Sequence, residues 1–161
     1  MPAFTRRAAL LGIVTLLSAC GGRKVEGRSR PEASRSNPPL HVNETPELRR
    51  LINHYADLNE VPRALVHRVI IRESHHRPDA RNGPYYGLMQ ILPATARGMG
   101  YRGRANGLLD AGTNLKYAVK YLRGAWLLAD GSHDTAVKWY SQGYYYEAKR
   151  RGMLKETGLR G

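Results

Sequence analysis

Pro62-Arg63-Ala64-Leu65-Val66-His67-Arg68-Val69-Ile70-Ile71-Arg72-Glu73-Ser74 is the stretch that decides the fold. Leu65, Val66, Val69 and Ile70 recur at i, i+1, i+4 and i+5, which at about 100° per residue puts all four on one face of a helix. Glu73, eight residues after Leu65, points to the middle of the same stripe. A carboxylate there is costly unless paired, and burial raises its pKa by favouring the neutral form. A carboxylic acid still protonated near neutral pH is what general-acid chemistry requires. The competing reading is a Glu at a fraying helix end, turned to solvent or paired with Arg72 or Arg77.

Around this helix the pattern predicts others. Thr45-Pro46-Glu47 supplies a capping hydroxyl, a Pro at the first helical position and an acid at the positive end of the dipole. Leu48, Leu51, Ile52 and Tyr55 follow at helical spacing, to about Leu58. The second helix should end near Ser74, because Pro78 disfavours helix in the residue before it. A short helix is expected from Pro93, with a Gly-containing loop over 101–112. The longest helix should begin near Thr113 or Asn114, either able to cap it, with Leu115, Ala118, Val119, Leu122 and Trp126 buried and Gly131 as its stop. Ser132 to Asp134 can cap the next helix, carrying Ala136, Val137 and Tyr140, and Tyr144 to Arg151 forms a last one. No segment alternates at period two. The fold class is therefore all-α, with any strand confined to a small hairpin in the 81–92 region.

The N-terminus reads as a targeting segment. Arg6 and Arg7 form a basic region, and the apolar run from Ala8 to Leu17 is too short to span a bilayer. Leu17-Ser18-Ala19-Cys20 resembles a bacterial lipobox, and Cys20 is the chain's only cysteine. That implies a signal peptide over 1–19 and a lipid-modified Cys20, with Gly21 pointing to the outer membrane; an ordinary signal peptide with an incidental Cys is the alternative. Thr5-Arg6-Arg7 partly resembles a twin-arginine signal, though a plain basic region explains it as well. Residues 20–44 are rich in Arg, Ser, Pro and Gly and read as a flexible tether. Residues 45–155 suffice for one domain with a modest core. A single Cys excludes an internal disulfide framework. The formal charge of +13 suits nucleic acid, anionic lipid or an acidic polymer, and the export signal argues against nucleic acid.

After Glu73-Ser74 come Gly87-Leu88-Met89-Gln90-Ile91, Pro93-Ala94-Thr95-Ala96, Asn114-Leu115, Tyr121-Leu122 and Trp139-Tyr140-Ser141-Gln142-Gly143. In order and spacing these resemble the soluble lytic transglycosylase family, whose catalytic domain is related in fold to goose-type lysozyme. The resemblance runs from about Val61 to Gly143. It implies cleavage of the β-1,4 bond between N-acetylmuramic acid and N-acetylglucosamine in peptidoglycan, leaving a 1,6-anhydro sugar. Glu73 would act as acid and then base. Ser74, Asn82, Tyr86, Gly87, Leu88, Met89, Gln90 and Tyr140 would form the sugar site, with Tyr140 bonded to the catalytic carboxylate or to an N-acetyl group. A Gly lets backbone approach a ligand closely, and a Gln amide can both donate and accept. Leu88, Met89 and Tyr140 could equally be core residues.

The chain departs from the family pattern in the shorter 82–86 loop, where Asn82 is read in place of the family's Ser, and at Ser141, Gln142 and Leu92. Tyr85, Tyr86, Trp139, Tyr144, Tyr145 and Tyr146 are expected around the cleft as stacking surfaces, or as core. The nearest acid after Glu73, Asp79, reads as a solvated turn residue. His67, His75 and His76 lack the spacing of a zinc motif and read as solvated or capping, so no metal and no cofactor are expected. The partners expected are peptidoglycan strands and, through Cys20, a membrane at its periplasmic face, with the chain a monomer. A hydrolase of the same bond and a non-catalytic peptidoglycan-binding lipoprotein remain as alternatives.

Overall fold

A computed structural model describes residues 38–160. The signal-peptide reading of 1–19, the lipidation reading of Cys20 and the tether up to residue 37 lie outside the described residues. Six helices and one two-stranded hairpin follow in chain order. They are α1 (Pro46–Leu58), α2 (Arg63–Ser74), β1 (Arg81–Asn82), β2 (Tyr85–Tyr86), α3 (Pro93–Gly98), α4 (Ala111–Leu127), α5 (His133–Gln142) and α6 (Tyr145–Arg150), with a 3-10 turn at Ala105–Leu109 before α4. The domain is helical, as expected, and no helix among the described residues is long and apolar enough to cross a membrane.

α1 starts as its sequence dictates: the Thr45 hydroxyl accepts from the Leu48 amide at 3.1 Å, with Pro46 behind it. Its inward face differs from the expected stripe. Leu48, Ile52 and Ala56 are buried together with Arg49, while Leu51 and Tyr55 stay half-exposed. Arg49 goes inside because it has partners there. Its guanidinium donates to both carboxylate oxygens of the buried Glu44 and to the Pro38 and Pro39 carbonyls. Residues 38–44, expected as the end of the tether, therefore lie against the helical domain.

α2 ends at Ser74, but Pro78 is not what stops it. His75 and His76 both take left-handed backbone, at φ 52° and 60°, and two such residues in a row cannot continue a right-handed helix. Leu65, Val66, Val69 and Ile70 all face the core, as their spacing requires.

The long helix begins earlier than expected. Asp110 caps α4, its carboxylate accepting from Thr113 N at 2.7 Å, so neither Thr113 nor Asn114 is the cap. α4 also stops before Gly131, at Leu127. It packs against α1, α3, α5 and the 3-10 turn, and so forms the centre of the domain. Leu115, Leu122, Ile52, Leu65 and Ile70 meet there, wholly buried. Ser132 caps α5 as expected.

Candidate active site

Glu73 stands one residue before the end of α2, at the rim of a cleft. One side of that cleft is lined by Arg77, Asp79, Ala80, Arg81, Asn82 and Gln90. The other side adds Arg72, Tyr85, Tyr140 and Ser141 and continues to Ile91, Thr95, Tyr121 and Gly143. The Glu73 side chain is 23 % exposed. Burial pushes its carboxyl above the ordinary range, and the Arg72 guanidinium, with Nε 3.6 Å from Oε1, partly opposes the shift. The helix stripe that placed an acid among apolar residues thus yields a half-buried acid facing open space.

The opposite wall is built from main chain. β1 and β2 pair antiparallel, Arg81 with Tyr86 and Asn82 with Tyr85, around Gly83-Pro84. The chain then doubles back, with Tyr86 and Ile91 exchanging both backbone hydrogen bonds at 3.2 and 3.1 Å. The tight loop between them is Gly87-Leu88-Met89-Gln90. Gly87 has φ +71°, and a β-carbon there would strike the Asn114 side chain and the Leu108 carbonyl, so only glycine fits.

Asn114 is what holds this loop. It is wholly buried, and its amide donates to the Tyr86 and Leu108 carbonyls at 2.8 Å each while accepting from Met89 N at 3.0 Å. Tyr140 completes the arrangement from α5, donating its hydroxyl to the Met89 carbonyl at 2.8 Å. Of the two partners expected for it, the Glu73 carboxylate and a sugar N-acetyl group, the carboxylate is not the one the hydroxyl bonds here. Burial, followed by the nearby charge of Glu73, keeps the Tyr140 phenol protonated far above its ordinary range.

The residues expected to bind sugar fall into two groups. Glu73, Asn82, Gln90 and Tyr140 share the cleft. Leu88 and Met89 are fully buried and pack the core, so their side chains are not cleft surface. Ser74 is buried with its hydroxyl turned back on Ile70 O. Tyr86 is buried beneath the Arg81 guanidinium, 4.8 Å from its ring centre, and Gly87 serves the loop's shape. Gln90 uses its amide NH₂ on the Ala80 and Gly87 carbonyls at 3.0 and 2.8 Å. Its Oε1 is buried with no hydrogen-bond partner among the described residues, so the amide has no free donor for the cleft.

Of the expected aromatic cluster, Tyr85 lines the cleft. Tyr144 is buried and bonds Tyr121 O, while Tyr145 and Tyr146 are exposed and meet each other edge-on. Tyr121 is the residue the sequence reading left without a role. It lines the cleft, stacks on Tyr144 at 4.7 Å and meets Tyr140 edge-on. Its place seven residues after Asn114, two turns along one helix face, was the available signal. Two histidines also differ from expectation. His76 is buried and His67 nearly so, rather than solvated, while His75 caps α2 in the exposed position foreseen for it.

A helical domain with a half-buried glutamic acid, facing a cleft walled by a pinned Gly-Leu-Met-Gln loop, agrees with the lysozyme-like, peptidoglycan-acting class to which the family match assigns the chain. The Transglycosylase SLT domain family model matches residues 50–155, and the chain belongs to that family. Comparison with curated proteins and with solved structures gave no match.

Proposed function

We propose that the chain is a peptidoglycan lytic transglycosylase that cleaves the β-1,4 bond between N-acetylmuramic acid and N-acetylglucosamine and leaves 1,6-anhydro ends. The observation that carries this reading is Glu73: half-buried, raised in pKa by that burial, and open to the cleft. In its acid form the carboxyl gives its proton to the glycosidic oxygen as the C1–O bond breaks. The carboxylate left behind takes the proton of the muramoyl C6 hydroxyl as that oxygen bonds to C1. Glu73 returns to its acid form, and no water is consumed. Arg72, Arg77 and Arg81 around the cleft suit a polymer that bears carboxylates. The segment ending in Cys20 supports secretion and lipid anchoring at the periplasmic face of a bacterial membrane, the outer one favoured.

A hydrolase of the same bond is the second reading, and one observation favours it: Asp79 lines the cleft beside Glu73. A second carboxylate is what water-using glycosidases require. Against it, Asp79 is exposed and flanked by Arg77 and Arg81, in no position to be protected from solvent.

Mass spectrometry of the products released from purified peptidoglycan separates the readings. Anhydromuramoyl ends, absent with Glu73→Gln, are the expected result. Reducing ends would make the protein a hydrolase, and release independent of Glu73 or no release would overturn the enzymatic reading.

A further inference from the structure

Beside α2, and outside the residues that line the cleft, four side chains converge that the proposed chemistry does not use. His67 comes from α2 itself, His76 from the left-handed turn after it, and His41 and Glu44 from the segment before α1. Each offers one donor atom, and these atoms all lie within 4.8 Å of one another. His67 Nδ1 is 3.2 Å from His76 Nε2 and 3.7 Å from Glu44 Oε1, and His76 Nε2 is 4.0 Å from the same oxygen. A tetrahedral zinc ion with bonds of about 2.0–2.1 Å holds its donor atoms roughly 3.3 Å apart. The three edges just given bracket that spacing, and His41, the exposed member, whose ring stacks on that of His76 at 4.8 Å, brings the fourth donor within 4.8 Å of the others.

The local chemistry asks for such an ion. His76 is 1 % exposed, yet beyond its stacking on His41 its ring has one hydrogen-bond partner among the described residues, the His67 ring, and its Nδ1 has none. A metal bond on Nε2 would replace that single ring–ring contact with a stronger one, while Nδ1 would stay as it is. Glu44 keeps its carboxylate oriented through Arg49, whose Nε meets Oε1 and whose Nη2 meets Oε2, both at 2.5 Å. The remaining lone pair of Oε1 is available to the cluster. Three imidazoles and one carboxylate favour a zinc-like ion over calcium or magnesium, which prefer all-oxygen shells.

We propose that His41, Glu44, His67 and His76 form a binding site for Zn²⁺, which ties the segment before α1 to the helix carrying Glu73. The Arg49 charge beside Glu44 repels the ion, so the site is of moderate strength.

The test uses the full chain in detergent, with Cys20→Ser to remove the one thiol and with no histidine tag. Zinc chloride is titrated by calorimetry, thermal unfolding is followed with and without zinc, and X-ray absorption is recorded at the zinc edge. One equivalent should bind with a Kd on the order of 1 μM. Zinc should raise the unfolding temperature, and the absorption edge should report three nitrogens and one oxygen at about 2.0–2.1 Å. Calcium and magnesium chloride should do neither. His41→Ala, at an exposed position, should weaken zinc at least about tenfold with the metal-free unfolding temperature unchanged. His54→Ala and His133→Ala should leave binding intact. The proposal fails if the folded chain shows no saturable zinc binding up to millimolar concentration. It fails equally if His41→Ala binds as tightly as the parent chain, or if binding is lost in His54→Ala or His133→Ala instead.

Discussion

The Tyr140 hydroxyl donates to the Met89 carbonyl at 2.8 Å, across 51 residues of sequence, and so fastens α5 to the loop that walls the cleft. Tyr140→Phe removes the donor and leaves a buried carbonyl without it. A loss of about 1–3 kcal/mol is expected, seen as a lower denaturation midpoint, with turnover reduced because the loop relaxes. Unchanged stability with abolished turnover would instead assign the hydroxyl to the chemistry itself.

Asn114 makes three buried hydrogen bonds to main-chain groups of two loops. Asn114→Ala strands all three, and a loss of about 2–4 kcal/mol should follow in chemical denaturation. Gly87→Ala attacks the same junction from the other side, through a strained φ and a steric clash with Asn114, and should destabilise the chain similarly. If either variant unfolds at the parent midpoint, the loop is not held as described.

Glu73→Gln should reduce release of peptidoglycan fragments by about 10²–10⁴-fold. It should also raise the denaturation midpoint slightly at neutral pH, and the sign follows from linkage. Because the folded-state pKa is raised, ionisation costs the native state more than the unfolded one. Stability attached to this group is therefore greatest at low pH and declines as pH climbs from the unfolded pKa through the folded one. A glutamine escapes that decline.

Turnover should follow the acid form and fall on the alkaline side at a pH above the ordinary carboxylate range. Arg72 opposes the upward shift. Arg72→Ala should therefore move this alkaline limb to higher pH, measured as the rate profile of fragment release. Movement in the acid direction would contradict the electrostatics described for the pair.

Asp79→Asn separates the two chemistries. If the muramoyl C6 hydroxyl is the nucleophile, turnover stays near the parent value, because no second carboxylate is required. A collapse comparable to Glu73→Gln would favour the hydrolase.

Much of the fold was legible because periodicity and caps are local signals. Leu65, Val66, Val69 and Ile70 fixed the orientation of α2, and Thr45 and Ser132 began their helices as read. The misread boundaries depended on choices among nearby residues, Asp110 rather than Thr113 or Asn114 as a cap. In the site, Glu73 could be seen because a charge interrupted an apolar stripe. The duties of Asn114, Tyr140 and Gln90 could not, since each bonds main-chain atoms that are distant in sequence or hidden by a loop. The burial of Arg49 and of two histidines was equally invisible. It depends on Glu44 and on residues 38–41, whose composition reads as a tether until their contacts are known.

The bonds that pin the Gly87–Gln90 wall run to Tyr86 O, Leu108 O, Met89 N and Met89 O, which are backbone atoms. The scaffold of the cleft is thereby uncoupled from the identity of the side chains that decorate its mouth. Asn82, Tyr85 and Ser141 are open to exchange without loosening what stands behind them. A redesign aimed at a differently substituted glycan has its variable positions there and its fixed ones at Gly87, Asn114 and Tyr140.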